Sequence, residues 1–265
     1  MKLRLLTCAI IGVSMAGAVW AKKPVRPEYR QIQREVAKER AAEAKAPAAE
    51  EVGDADSFGK NVKFAGLMST GVINLASDCT PDPSFPPGPD DHCFVTNPAP
   101  ALTSFSVTDA ARMTIPGKTA QSLFCHWQTP AVIYTFANPT GTYQPNARIV
   151  ITPSYKIENP VLSDPALIDP NTGLPFNGSF TVTLPGIRHG RSLQPGEFQT
   201  ERDYGTRACI GGLVSRAALI ETYGLSESLA DKFFKKDTII TMNITGQGVL
   251  VDFASIIYGT RFVSD

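Results

Sequence analysis

The residues best suited to chemistry lie between Gly186 and Cys209, in the stretch GIRHGRSLQPGEFQTERDYGTRAC. Its charged side chains form the candidate ligand site: Arg188, His189, Arg191, Glu197, Glu201, Arg202 and Asp203. Arginine forks bind carboxylate, phosphate or sulfate groups through two parallel hydrogen bonds. The alternative is a long surface loop whose charges pair with one another, since loops are ordinarily polar and solvated.

The same stretch allows an enzymatic interpretation, because two carboxylates can act as the acid and base of glycoside hydrolysis. Glu197, Glu201 or Asp203, with His189, would supply them. This hypothesis requires two carboxylates to converge in a cleft, about 5–10 Å apart. Against it, the chain contains no G-x-S-x-G, H-E-x-x-H, P-loop, G-x-G-x-x-G or C-x-x-C motif. We therefore expect a protein that is not an enzyme and uses no cofactor.

Two loops carry oxygen ligands that calcium could use. The first, CTPDPSFPPGPDDHC, places Asp82, Asp90, Asp91 and His92 between two cysteines. The second, residues 164–178, holds Asp169, Asn171 and Gly173 at alternate positions, without the closing glutamate of a calcium loop. Rigid or turn-rich surface loops explain both patterns without an ion, so no metal site is predicted.

The N-terminus predicts export. Residues 1–21 combine Lys2 and Arg4, a short apolar run and small residues at Val19 and Ala21, which is typical of a cleavable signal peptide. The apolar run is shorter than the roughly 20 residues of a spanning helix. We expect a periplasmic or extracellular protein with no transmembrane segment after cleavage.

The cysteines agree with export, since oxidising compartments preserve disulfides. Without residues 1–21, the chain keeps Cys79, Cys93, Cys125 and Cys209. Three pairings are open, and we favour Cys79–Cys93, which are close in sequence, with Cys125–Cys209 as a long-range bridge. That bridge would remove the thiolate from the Cys125-His126 pair and so exclude it as a nucleophile.

Charge divides the chain into unlike parts. Residues 22–50 carry eight basic and five acidic side chains, whereas residues 51–265 carry 15 basic and 20 acidic ones. Residues 22–59 are rich in helix formers around Tyr29, Ile32 and Val36, and predict a charged, partly helical or flexible linker. The balanced total charge and the acidic body give no support for a polyanion-binding protein.

Residues 60–265 predict a single mainly β domain. Short segments rich in β-branched and aromatic residues, such as TSFSVTD, AVIYTFA and SFTVTLP, alternate with Gly, Pro, Asn and Asp. This pattern favours an antiparallel β-sandwich or jelly roll stapled by disulfides. A late helical hairpin, residues 213–236, interrupts the strands, with Ser226 as an N-cap. Its resemblance to a helix-turn-helix lacks a basic face, so no nucleic-acid partner is expected.

Three functions stay open. The leading hypothesis is an exported, non-enzymatic module that binds a glycan, an envelope protein or another surface component. The second is a secreted carbohydrate-active or other hydrolase that uses the carboxylates of residues 186–209. The third is a structural subunit of a surface appendage, with residues 22–59 as a tether and exposed strand edges for assembly.

Overall fold

The computed structural model describes residues 63–84, 86–120, 123–205, 207–208 and 213–264. The predicted signal peptide and the charged linker lie outside the described residues. The predicted fold class is confirmed: the chain is mainly β, with two sheets and a late pair of helices. The strands are β1 (Lys63–Ser69), β2 (Ile73–Ala76), β3 (His92–Val95), β4 (Leu102–Ile115), β5 (Leu123–Ala137), β6 (Gln144–Glu158), β7 (Ser179–Thr183), β8 (Ile187–Leu193), β9 (Phe198–Asp203), β10 (Arg207–Ala208), β11 (Val214–Ser215), β12 (Thr238–Val249) and β13 (Val251–Ser264).

The larger sheet has eight described strands and is built around β13. Strand β5 pairs antiparallel along one side of β13, from the Ser264–Phe124 pair to the Val251–Phe136 pair. On the other side, β1 and β2 follow one another along β13. Strand β3 extends the sheet parallel to β2, whereas β9, β10 and β11 all pair with β5.

The smaller sheet has five described strands in the order β4-β12-β6-β7, and β8 also pairs with β6. Its central strand β12 is joined to β13, the central strand of the other sheet, by the single residue Leu250. Leu250 is buried and has a φ of 57°, in the left-handed region that lets the chain turn within one residue. The two sheet centres are therefore linked directly.

Alternating side chains fill the space between the sheets, as period-two strands require. Strand β6 buries Ile149, Ile151 and Ile157 on one face, and β13 buries Ala254 and Ile256 opposite them. Two strands are longer than the segments that predict them. Strand β4 continues beyond TSFSVTD, and β5 begins before AVIYTFA. Strand β4 runs through Asp109, whose φ of 57° makes a bulge, so polar residues there interrupt the pattern without ending the strand.

The late helices are α1 (Arg216–Glu221) and α2 (Glu227–Phe234), and both are shorter than predicted. Ser226 caps α2 as expected, because its Oγ accepts a hydrogen bond from the Leu229 amide at 3.4 Å. Leu225 and Phe233 are buried in the core and Leu229 packs against it, so one side of the helix pair faces the core. Within the described part of the chain, neither helix is long and apolar enough to cross a membrane.

The predicted Cys79–Cys93 disulfide is present and closes a loop with a sequence separation of 14. It ties the loop to β3, a strand of four residues at the end of the larger sheet. The carboxylate of Asp91 secures the same loop, because it accepts hydrogen bonds from the amides of Val72 and Gly88 at 2.8 and 2.7 Å. Cys209 lies outside the described residues, so the predicted second disulfide stays a prediction.

Replacing both residues, Cys79→Ser with Cys93→Ser, is expected to lower the free energy of unfolding by about 3 kcal/mol, the loop-closure contribution for a crosslink of this length. Urea unfolding of the two proteins measures the difference. As a control, both proteins are also unfolded in a thiol reductant, where they should be equally stable because the Cys79–Cys93 bridge is then open in the wild type as well. Equal stability of variant and wild type would contradict the structural role of this bridge.

Candidate functional site

Residues 186–205 of the predicted ligand site form two strands, where a long surface loop was one expectation. Strand β8 pairs with β6 in the smaller sheet, and β9 pairs with β5 in the larger one. The segment therefore crosses from one sheet to the other at their shared side. In β8, the inward positions between Ile187 and Leu193 are polar or charged. A pattern of alternating apolar residues therefore does not predict this strand.

Asn138 holds this crossing in place. It is 1% exposed, and its Nδ2 donates to the carbonyl oxygens of Thr142, Leu193 and Gln194 at 2.8, 3.2 and 3.0 Å. Its backbone also bonds the turn, because the Asn138 amide donates to Glu197 O and the Gly196 amide donates to Asn138 O. A buried amide bonded on so many sides gives the β8–β9 turn a defined position.

The strand alternation distributes the candidate residues over three places. His189 and Arg191 on β8 lie on the same face as the buried Ile187 and Leu193, toward the space between the sheets. Glu201 and Asp203 on β9 face the same space from the larger sheet, where their partners lie. The other three candidates are elsewhere: Arg188 and Arg202 are exposed on the outer faces of the two sheets, and Glu197 lies in the turn.

The inward residues meet Tyr134 of β5 and form what we call the seam cluster: Tyr134, His189, Arg191, Glu201 and Asp203. His189 Nε2 lies 3.1 Å from Asp203 Oδ2, and Arg191 Nη1 donates to Glu201 Oε1 at 2.5 Å. The Tyr134 hydroxyl donates to Glu201 Oε2 at 2.7 Å. The rings of Tyr134 and His189 are stacked, with centroids 5.1 Å apart and planes inclined by 25°.

Every carboxylate oxygen of the cluster has a partner within the protein. Glu201 Oε1 also accepts from Gln199 Nε2 at 3.1 Å, and Asp203 Oδ1 accepts from the Gly205 amide at 2.9 Å. Burial and, secondarily, the hydrogen bond to Glu201 raise the pKa of Tyr134 above its ordinary value. The phenol therefore stays protonated and remains a hydrogen-bond donor to Glu201.

The sequence identifies four members of the seam cluster. It identifies neither Tyr134, the fifth member, nor Asn138, which positions the β8–β9 turn. Tyr134 belongs to the apolar strand IYTFA, where an aromatic residue is expected to serve the core. Asn138 precedes a proline and is typical of a turn. Their roles depend on contacts with residues more than fifty positions away, which no local pattern encodes.

The two loops considered for calcium have internal uses for their carboxylates. Asp169 Oδ1 accepts from both the amide and the side chain of Asn171, at 2.9 and 3.0 Å, which is an Asx turn. Asp91 holds the disulfide loop, as described above. Among the described residues, no three His, Cys, Asp or Glu side chains are grouped to hold a metal ion.

His126, which follows Cys125 in the sequence, lies in the core between the sheets. It is 6% exposed, and its ring meets the ring of Tyr155 edge to face, with centroids 5.6 Å apart. The Tyr155 hydroxyl and Thr260 Oγ1, both buried, are hydrogen-bonded at 2.7 Å. Burial lowers the pKa of His126 from its ordinary 6.5 to about 4, so the imidazole is neutral at neutral pH.

Comparison with known proteins adds no relationship: no protein-family model matches the chain, and no curated protein matches its sequence.

Replacing Tyr134 with Phe is expected to lower the free energy of unfolding by about 1–2 kcal/mol, because Glu201 Oε2 loses its donor in a part-buried position. Urea unfolding measures this cost. Tyr143→Phe is the matched control and should leave stability unchanged, since Tyr143 is 52% exposed. The cost should shrink in a Glu201→Gln background, and equal costs in both backgrounds would show that the two side chains are not coupled.

Acid should destabilise the protein through His126. The folded-state pKa of about 4 lies below the ordinary 6.5, so the unfolded chain binds the proton more tightly. The free energy of unfolding should fall as pH drops from about 6.5 to 4, by about 3 kcal/mol in total, and show no His126 contribution above that window. Urea unfolding at several pH values measures this slope.

His126→Gln should remove that part of the pH dependence. His92→Gln, at an exposed position, is the control and should retain it. Parallel pH profiles for wild type and His126→Gln would contradict the assignment.

Proposed function

We propose that this protein is an exported, non-enzymatic binding module, and that the seam cluster forms its ligand site. One observation carries the proposal: all four carboxylate oxygens of Glu201 and Asp203 contact protein partners. An acid/base catalyst must exchange a proton with its substrate, for which an oxygen has to face the reacting atom. Carboxylates held in this way serve instead to orient the donors around them.

The donors around the carboxylates are the ligand-binding groups in this proposal. The side chains of Arg191 and His189 are 28% and 32% exposed, so both reach solvent while Glu201 and Asp203 hold them in place. Arg191 presents a planar fork, and Gln199 adds an amide beside it. Preorganised planar donors beside an aromatic ring suit a polar ligand that carries many hydroxyl groups. A glycan of the cell envelope fits this chemistry.

Export is the second part of the proposal. The Cys79–Cys93 disulfide is compatible with an oxidising compartment, and within the described part of the chain no helix could span a membrane. The predicted signal peptide would direct the chain to the periplasm or the extracellular space, where envelope glycans and proteins are accessible.

The test is binding of the chain from residue 22 onward to an array of bacterial and host glycans, followed by calorimetry on each ligand found. Arg191→Lys keeps the charge but loses the fork, and is expected to weaken binding at least about tenfold. Arg188→Lys is the matched control, because Arg188 lies on the same strand but faces the other way. Affinity that falls with Arg188→Lys and not with Arg191→Lys would refute the site.

The hydrolase hypothesis predicts a different result with the same glycans. It requires release of a cleaved product from a bound glycan, and loss of that release in both Glu201→Gln and Asp203→Asn. Product formation with this dependence would overturn the non-enzymatic proposal. Binding without turnover, sensitive to Arg191→Lys, would support it.

A further inference from the structure

Strand β4 forms one edge of the smaller sheet, since within the described residues it pairs with β12 on one side and with no strand on the other. An unpaired edge presents a row of backbone N–H and C=O groups that can pair with another strand. Proteins usually protect such edges with charges, prolines, bulges or short length. Only one half of β4 has this protection.

The second half of β4 is protected. The bulge at Asp109 interrupts the ladder, and Arg112 forms ion pairs with Asp109 and Glu158 at 3.9 and 3.5 Å. Strand β1 also packs here, because the Met113 side chain occupies the space beside Gly66. A neighbouring strand would meet charge, a kink and a covering element along this half.

The first half, residues 103–108, has none of these devices. Its side chains alternate between buried Thr103, Phe105 and Val107 and exposed Ser104, Ser106 and Thr108. The exposed face carries no charge and the segment contains no proline. Asn97 bonds the carbonyl of Leu102 and the hydroxyl of Thr103, so the open ladder begins after that point. We call residues 103–108 the open edge.

Other edges of the two sheets differ from the open edge. Strand β9 carries Glu201, Arg202 and Asp203, and β8 carries Arg188 and Arg191. Strand β3 is four residues long and is fixed by the disulfide. Strand β7, at the other end of the smaller sheet, is uncharged but only five residues long, and Pro185 follows it closely. The open edge thus combines length, regular alternation and the absence of charge, the properties that make an edge available for pairing.

We propose that the open edge binds a second copy of this chain, with the two β4 strands antiparallel about a two-fold axis at Phe105. This register places Ser104 opposite Ser106 of the partner and Thr103 opposite the partner's Val107. Every opposed pair on the exposed face is uncharged, so the sequence is complementary to itself and no like charges meet. The two five-stranded sheets join into one continuous sheet, and the interface is closed and isologous.

The test uses paired charges on the chain from residue 22 onward. We expect the wild type to show a monomer–dimer equilibrium by analytical ultracentrifugation across micromolar to millimolar concentrations. Ser104→Lys with Ser106→Lys places lysine opposite lysine at both positions and should weaken the dimer at least about tenfold. Ser104→Glu with Ser106→Glu should do the same. Mixing the two variants should restore a 1:1 dimer, because opposite charges then face each other.

The matched control is Thr245→Lys with Gln247→Lys. These exposed residues lie on the interior strand β12, in register with Ser106 and Ser104 respectively. They add the same charge to the same face, one strand away from the edge, and should leave the dimer intact.

Three results would overturn the proposal. A chain that stays monomeric throughout the concentration range has no such interface. A dimer that tolerates both charged pairs, or that the β12 control weakens equally, does not form through the open edge. A dimer lost on deletion of residues 22–59 but insensitive to the charged pairs forms through the linker instead. Glycan binding by the seam cluster is measured separately and does not depend on these outcomes.

Discussion

The central strands of the two sheets are connected through a single residue. Leu250 ends β12 and begins β13, so the middle of one sheet leads directly into the middle of the other. Because strands on both sides of each centre pair with β12 or β13, this turn connects the pairing partners of both sheets. Burial of the facing apolar side chains, the dominant favourable contribution to folding, then holds the sheets together.

The segment from β8 to β9 is another crossing between the sheets, with the opposite chemistry. At Leu250 the crossing is apolar, whereas at the seam cluster polar and charged side chains point inward and pair with one another. Charges that leave water need partners, and here Arg191 and His189 of one sheet face Glu201 and Asp203 of the other. The seam thus both closes the side of the sandwich and presents ordered donors to solvent, which is the basis of the proposed binding role.

The two surfaces proposed for interaction are chemically distinct. The seam cluster is built from charges with fixed partners, and it is suited to a polar ligand. The open edge of β4 is uncharged and offers backbone groups, and it is suited to another strand. A protein that pairs through one surface and binds through the other could present two ligand sites at once, which raises the avidity for a repetitive surface without any new contact.

The sequence alone was sufficient for the fold class, the late helices with the Ser226 cap and the Cys79–Cys93 bridge, because alternation, capping and short loops are local properties. It also identified the charged residues of the seam. It did not predict β8 and β9 as strands, since their alternation is polar, nor did it find Tyr134 and Asn138. The tertiary structure decided which charges meet, because pairing across two sheets joins residues such as Tyr134 and Glu201 that are 67 positions apart. It separated Arg188 and Arg202 from that group for the same reason: strand direction assigns each side chain to a face, and only the packed sheets determine which faces meet.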